Sequence, residues 1–181
     1  MGKTTIEFPF SADGINQAIA ELKAYEQSTY RKAKQFVNEL ALAGISVGRV
    51  NGGEWSNYLH FTVVPENYPW GGSVSVVMKG DPVYISYLVQ NDQVKTVTVN
   101  SALMSEFGSG WLADDYNGKK VGAGQGTFPG QTHAFDASGW YYKDMNGVWH
   151  NTKGSPAYAP LHHCAMEVAL QVNNIAKRVF I

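Results

Sequence analysis

The sequence is short of charge. Asp, Glu, Lys and Arg make up 16% of its 181 residues, against roughly a quarter in an ordinary soluble chain. A monomer with so few charges would have a bland surface, which points to surface covered by other subunits. Cysteine is almost missing. The single Cys164 excludes an intramolecular disulfide and agrees with a reducing compartment. No stretch reaches the ~18 consecutive apolar residues of a membrane-spanning helix. The opening MGKTTIEFPF has no apolar run long enough for a signal peptide, so a product made and folded in a cytoplasm is expected. A basic cluster is missing too: 14 Lys and Arg stand scattered against 15 Asp and Glu, for a net charge of −1. Reading nucleic acid through phosphate neutralisation needs such clusters. A protein that only lets DNA pass does not.

What the chain has in abundance is glycine, 19 residues of it, concentrated with aromatic rings between Gly108 and Gly154. Before that region the pattern is regular. After a short edge strand or extended arm containing Pro9, Asp13 offers an N-cap, and Ile15, Ile19, Leu22, Ala33, Phe36, Val37 and Leu40 recur at helical spacing. A long helix over 13–43 is predicted, stopped by Gly44, with a bend near Gln27–Ser28 as an open alternative. Residues 57–100 alternate as strands (57–65, 73–80, 83–90 and 95–100) linked by short turns, which predicts an antiparallel sheet. Residues 108–138 have little periodicity, and a loop of that length is usually functional or ordered by a partner. GWYYKDMNGVWHNTKG (139–154) reads as a hairpin turning at Asn146-Gly147. Leu161, Ala165, Val168, Val172, Ile175 and Val179 then mark a closing helix over 157–180 with Pro160 in its first turn. The fold expected is a single α+β domain over 1–181, a small antiparallel sheet packed by the two helices.

Candidate chemistry is sparse. Cys164 stands beside His162 and His163, but neighbours on a helix point about 100° apart, so neither histidine faces the thiol; a core cysteine is the better reading. His133, His150, His162 and His163 lack the short repeated spacings of a zinc framework, so no metal is expected. DDYNG (114–118) lacks the alternating acids of a calcium loop. GAGQG (122–126) is followed by Thr127 and Pro129 and opens no helix, so no nucleotide cofactor is expected. One enzyme-like or lectin-like alternative stays open. Glu106, Asp114, Asp115 and Asp136 lie near aromatics as glycosidase acids do, and Trp111, Trp140 and Tyr141 could stack on sugar.

The order of these pieces resembles a known family. The long first helix, the strands, ALMSEFGSG (102–110), GWYY (139–142), WHNTKG (149–154) and the closing IAKRVF (175–180) are similar to the neck proteins of long-tailed bacteriophages, called head–tail connector, head–tail joining or tail-completion proteins. The resemblance covers most of the chain. It is most specific at Glu106, Phe107, Gly108 and Gly110, and again from Gly139, Trp140, Tyr141 and Tyr142 through Trp149 to Thr152 and Gly154. It implies a structural virion protein, not an enzyme, without cofactor or membrane, assembled in the host cytoplasm. Copies would form a ring, six- or twelve-fold, at the head–tail junction. One rim would meet the portal adaptor and the other the tail terminator or tail tube, with DNA passing through the lumen unread. A tail terminator at the end of the tube is the neighbouring alternative. On this reading the motif residues, with Trp111, belong to the subunit interface. Trp140 and Trp149 could equally fill their own subunit's core.

Overall fold

The computed structural model describes residues 6–68, 71–112 and 137–181, and the chain forms an α+β fold. The predicted first helix is longer than its apolar pattern suggested. Helix α1 runs Ala12–Val50, 39 residues, about 58 Å at 1.5 Å per residue, unbroken through Gln27 and Ser28. Ser11 is its N-cap, accepting the Gly14 N–H at 3.1 Å, while Asp13 sits inside the first turn. Gly44 does not stop it. Both Gly44 and Gly48 lie in the helix interior, buried, because α3 (Pro160–Phe180) and Phe61 press against them. A glycine costs about 1 kcal/mol of helix propensity, and here close helix packing offsets it.

The strand region divides into two antiparallel sheets where one was predicted. β1 (Leu59–Tyr68) and β2 (Gly71–Gly80) form a long hairpin with Phe61 opposite Met78 and Val63 opposite Val76. Directly opposed residues share a face. Phe61 reaches Gly48 of α1, so this is the face turned to the helices. β3 (Pro82–Leu88) and β4 (Val94–Asn100) pair in full register from Pro82–Asn100 to Leu88–Val94. They belong to a second sheet of order β4-β3-β5-β6, completed by β5 (Trp140–Lys143) and β6 (Trp149–Thr152). β3 meets β5 only at Leu88–Lys143. The predicted second hairpin is therefore present, but its turn spans Asp144 to Val148, with Asp144 accepting the Asn146 and Val148 N–H groups.

Two short elements connect these layers. Residues Gly53–Tyr58 make a 3-10 turn that buries Trp55. Helix α2 (Ser101–Phe107) is capped by Asn100, whose side chain accepts the Ala102 and Leu103 N–H groups at 3.0 and 3.2 Å. Buried apolar side chains are Ala41 and Ile45 of α1, Trp55, Phe61, Met104 of α2, Ala159 just before α3, Cys164, Ile175 and Val179 of α3 and, in the first half of α1, Ala18. The core thus lies where α1, α3, the first hairpin and α2 converge. Of the predicted 108–138 loop, Gly110–Leu112 forms a 3-10 turn; residues 113–136, including DDYNG, GAGQG, His133 and Asp136, lie outside the described residues.

Candidate functional site

The two motif stretches, distant in sequence, meet as one junction. From α2 the chain leaves at Gly108 and runs alongside residues 153–159. Ser109 N–H donates to Ser155 O, Trp111 N–H to Lys153 O, and Ser155 N–H returns to Ser109 Oγ at 2.9 Å. Tyr158 and Ala159 N–H both donate to Ser105 O. Gly108 (φ 67°), Gly110 (φ 62°) and Gly154 (φ 103°) all take left-handed backbone, and each lies against carbonyl groups that a β-carbon would strike. At Gly110 that position is also 2.7 Å from the Trp140 ring, so the indole packs on bare backbone. The glycines serve a close approach of two strands of the same chain.

Glu106 is the centre of this junction. It is 4% exposed, and its carboxylate accepts Leu161 N–H at 2.8 Å and His162 N–H at 3.2 Å. The residue before α3, Ala159, has φ 51° and no side-chain oxygen, so the helix start lacks a cap of its own. Glu106 supplies one from a distant helix, and its negative charge lies at the positive end of the α3 dipole. A carboxylate committed in this way is placed as a structural cap, out of reach of a sugar at the surface. Behind it, Ser105 Oγ donates to Gly52 O at 3.0 Å, Trp55 Nε1–H donates to Ser155 Oγ at 3.3 Å, and Ser155 Oγ donates to Glu54. Ser105 and Ser155 as connectors were not visible in the sequence, where serine among glycines reads as loop.

The aromatic residues divide by strand register. Trp140 pairs with Thr152 and Tyr142 with His150, which puts these four on one face; Tyr142 stacks on His150 at 5.2 Å between centroids. Tyr141 and Trp149 lie on the opposite face and are 71% and 65% exposed. Trp149 therefore fills no core among the described residues. Trp140 is half-buried, and Trp111, at the mouth of the glycine junction, is partly exposed. Phe107 is half-buried at the end of α2, and the Thr152 hydroxyl accepts the Gly154 N–H at 3.1 Å. At the hairpin tip, the His150 ring lies 2.9 Å from Asp144 Oδ2. This hydrogen bond, with those from the backbone, holds the Asp144 carboxyl below the usual aspartate range.

Cys164 is buried against α1, and burial, assisted by the nearby Glu106 charge, pushes its thiol above the usual cysteine value. A raised thiol is a poor nucleophile. Among the described residues no group of three or more His, Cys, Asp or Glu is placed to hold a metal ion, and no helix is long and apolar enough to cross a membrane. No family profile, curated protein or solved structure matches this chain.

Proposed function

We propose that this protein is a structural subunit of the neck of a long-tailed bacteriophage, a member of a ring that joins the portal adaptor to the tail and lets DNA through. One observation carries the reading: much apolar surface on regular elements is left exposed among the described residues. Leu22 on α1, Tyr84 and Val94 on the β3–β4 hairpin, and Tyr141 and Trp149 on the β5–β6 hairpin are all exposed. Exposed apolar surface on regular, well-formed elements marks interaction sites. The motif junction supports the same reading. It fixes α2, the β5–β6 hairpin and the start of α3 as one unit, so a contact at the hairpin is held on a firm base.

Subunits meeting head to tail close into a ring when the rotation permits. Localisation of the chain along the tail axis in purified particles, by antibody or tag labelling, tests the proposal. The expected position is the head–tail junction; a position at the tail end of the tube would make it a terminator. Particles lacking the chain are expected to accumulate as separate heads and tails, and joined particles without it would overturn the reading.

Tyr141 and Trp149 on one hairpin face also favour a second reading, a platform on which a sugar ring stacks. Binding on a glycan array that is lost with Tyr141→Ala and Trp149→Ala would select it over the ring.

A further inference from the structure

Strand β4 is one edge of the second sheet and pairs only with β3. Which of its backbone groups face outward follows from the ladder. In an antiparallel pair, opposed residues that exchange both hydrogen bonds alternate with opposed residues that exchange none. Val89 N–H donates to Gln93 O at 2.8 Å, and these two residues continue the β3–β4 register. Counting on by twos, Tyr87–Lys95, Ile85–Val97 and Val83–Val99 are the bonded pairs. Pro82, which has no N–H, falls opposite Asn100 in the unbonded set, where none is needed. The N–H and C=O groups of Val94, Thr96 and Thr98 therefore point away from β3. All three residues are exposed, and among the described residues no backbone hydrogen bond reaches them from the outer side.

Edge strands are usually blunted by a proline, a bulge or charge. β4 has no proline, and its register with β3 runs from Pro82–Asn100 to Leu88–Val94 without a bulge. Its one charge, Lys95, is turned back onto β3, with Nζ 6.0 Å from the centre of the Tyr87 ring. The Thr96 hydroxyl is likewise tied back to Ser86 at 2.8 Å. The opposite edge of the sheet differs. β6 has four residues, and Trp111 N–H already occupies Lys153 O just beyond it.

We infer that β4 pairs antiparallel with β4 of a second copy of this chain, about a two-fold axis at Val97. A row of outward N–H and C=O groups is matched by another extended strand, and VKTVTVN (94–100) matches itself run in reverse. In that register Thr96 meets Thr98 of the second copy, and Val94 meets Asn100. These are the outward-pointing positions, so each such pair exchanges two hydrogen bonds. Val97 meets Val97 and Lys95 meets Val99, as unbonded pairs between them. The two Lys95 charges stand roughly 14 Å apart, four residues at about 3.4 Å each, beyond the ~8 Å screening length of physiological salt. A slip by one residue would set outward groups against inward ones, which fixes the register to steps of two. The contact uses the same edge on both copies, so it stops at two and merges two four-stranded sheets into one. The pairing goes beyond the neck reading and does not depend on it.

Sedimentation velocity of the full chain from ~10 μM to ~1 mM tests the inference, with Thr98→Pro beside it. The Thr98 N–H points outward, so proline there removes no bond to β3, and circular dichroism checks the fold. The unchanged chain is expected to reach a dimer and no further. In Thr98→Pro the dissociation constant is expected to rise at least about tenfold. Single added cysteines test the register under mild oxidation. The two Val97 Cα atoms would stand about 4.5 Å apart, within reach of a disulfide, and the two Val99 roughly 14 Å apart, out of reach. Val97→Cys is expected to give a covalent dimer and Val99→Cys none, while the native Cys164 is buried and does not compete. A chain that stays monomeric throughout, a dimer as tight in Thr98→Pro, or cross-linking no faster at Val97 than at Val99 overturns the inference. The neck reading fails on a different result, the joining of capsid to tail without this chain.

Discussion

A β-carbon built on Gly44 would lie 2.7 Å from the sulfur of Cys164. The two residues lie in close contact between α1 and α3, and the burial of Cys164 there pushes its thiol above the usual cysteine value. By helix propensity alone, Gly44→Ala would stabilise the chain by about 1 kcal/mol. Here it is expected to lower the thermal midpoint instead, because Cys164 and Val168 must move. Cys164→Ala should restore part of the loss, giving a coupling energy of about 0.5–2 kcal/mol in a double-mutant cycle. Additive effects would show that the two residues do not limit the approach of the helices.

The cap that Glu106 provides predicts a graded pair of variants. Glu106→Ala leaves the Leu161 and His162 N–H groups without their acceptor at the edge of the core, at a cost of about 1–3 kcal/mol. Glu106→Gln keeps one amide oxygen and loses the charge, so a smaller loss is expected. Urea unfolding midpoints measure both. Equal, negligible shifts would mean that α3 begins without help from Glu106.

Two glycines with positive φ separate strain from crowding. Gly147 (φ 80°) faces nothing nearer than the end of the Lys143 side chain at 3.5 Å. Gly108 (φ 67°) lies against the backbone of residues 155–157, with the nearest atom 2.5 Å from a built β-carbon. Gly147→Ala is expected to cost about 1 kcal/mol from backbone strain, and Gly108→Ala clearly more. Chemical denaturation of the two variants side by side gives the difference.

The tryptophans of the β5–β6 hairpin should separate by register. Trp140→Ala removes the indole that packs on Gly110 and is expected to cost about 1–3 kcal/mol. Trp149→Ala, on the exposed face, should leave stability within about 0.5 kcal/mol while reducing incorporation into particles. Normal incorporation of the Trp149 variant would remove that residue from the interface.

The hairpin tip should respond to acid. The folded Asp144 value lies below its unfolded one, through hydrogen bonds from His150 first and then the Val148 backbone. Its contribution is therefore present above the unfolded aspartate value, near 3.9, and is lost as pH falls through the lowered folded value. Amide exchange at Asn146 and Val148 should speed up across that acid window, after correction for intrinsic rates. In Asp144→Ala both amides should already exchange fast at neutral pH.

Periodicity alone determined that the chain is α+β: apolar residues at helical spacing and alternating strands state which face each element must bury, whatever the partner. The close of α3, the core place of Cys164 and the turn region of the second hairpin follow from that same local pattern. Tertiary structure decided the rest. Gly44 is a legitimate stop signal to a reader of sequence, and becomes helix interior only because α3 needs a residue without a side chain there. The division into two sheets depends on which strand edges meet, and strand periodicity carries no information about partners. Glu106 as the cap of α3 joins residues 55 apart, a distance over which no local motif could announce it. The exposed stripe of Ile15, Ile19 and Leu22 was legible as apolar from the start. That it lies bare follows from where α3 ends, with Phe180 packed on Phe36, since burial is a property of two elements together and a sequence pattern describes only one.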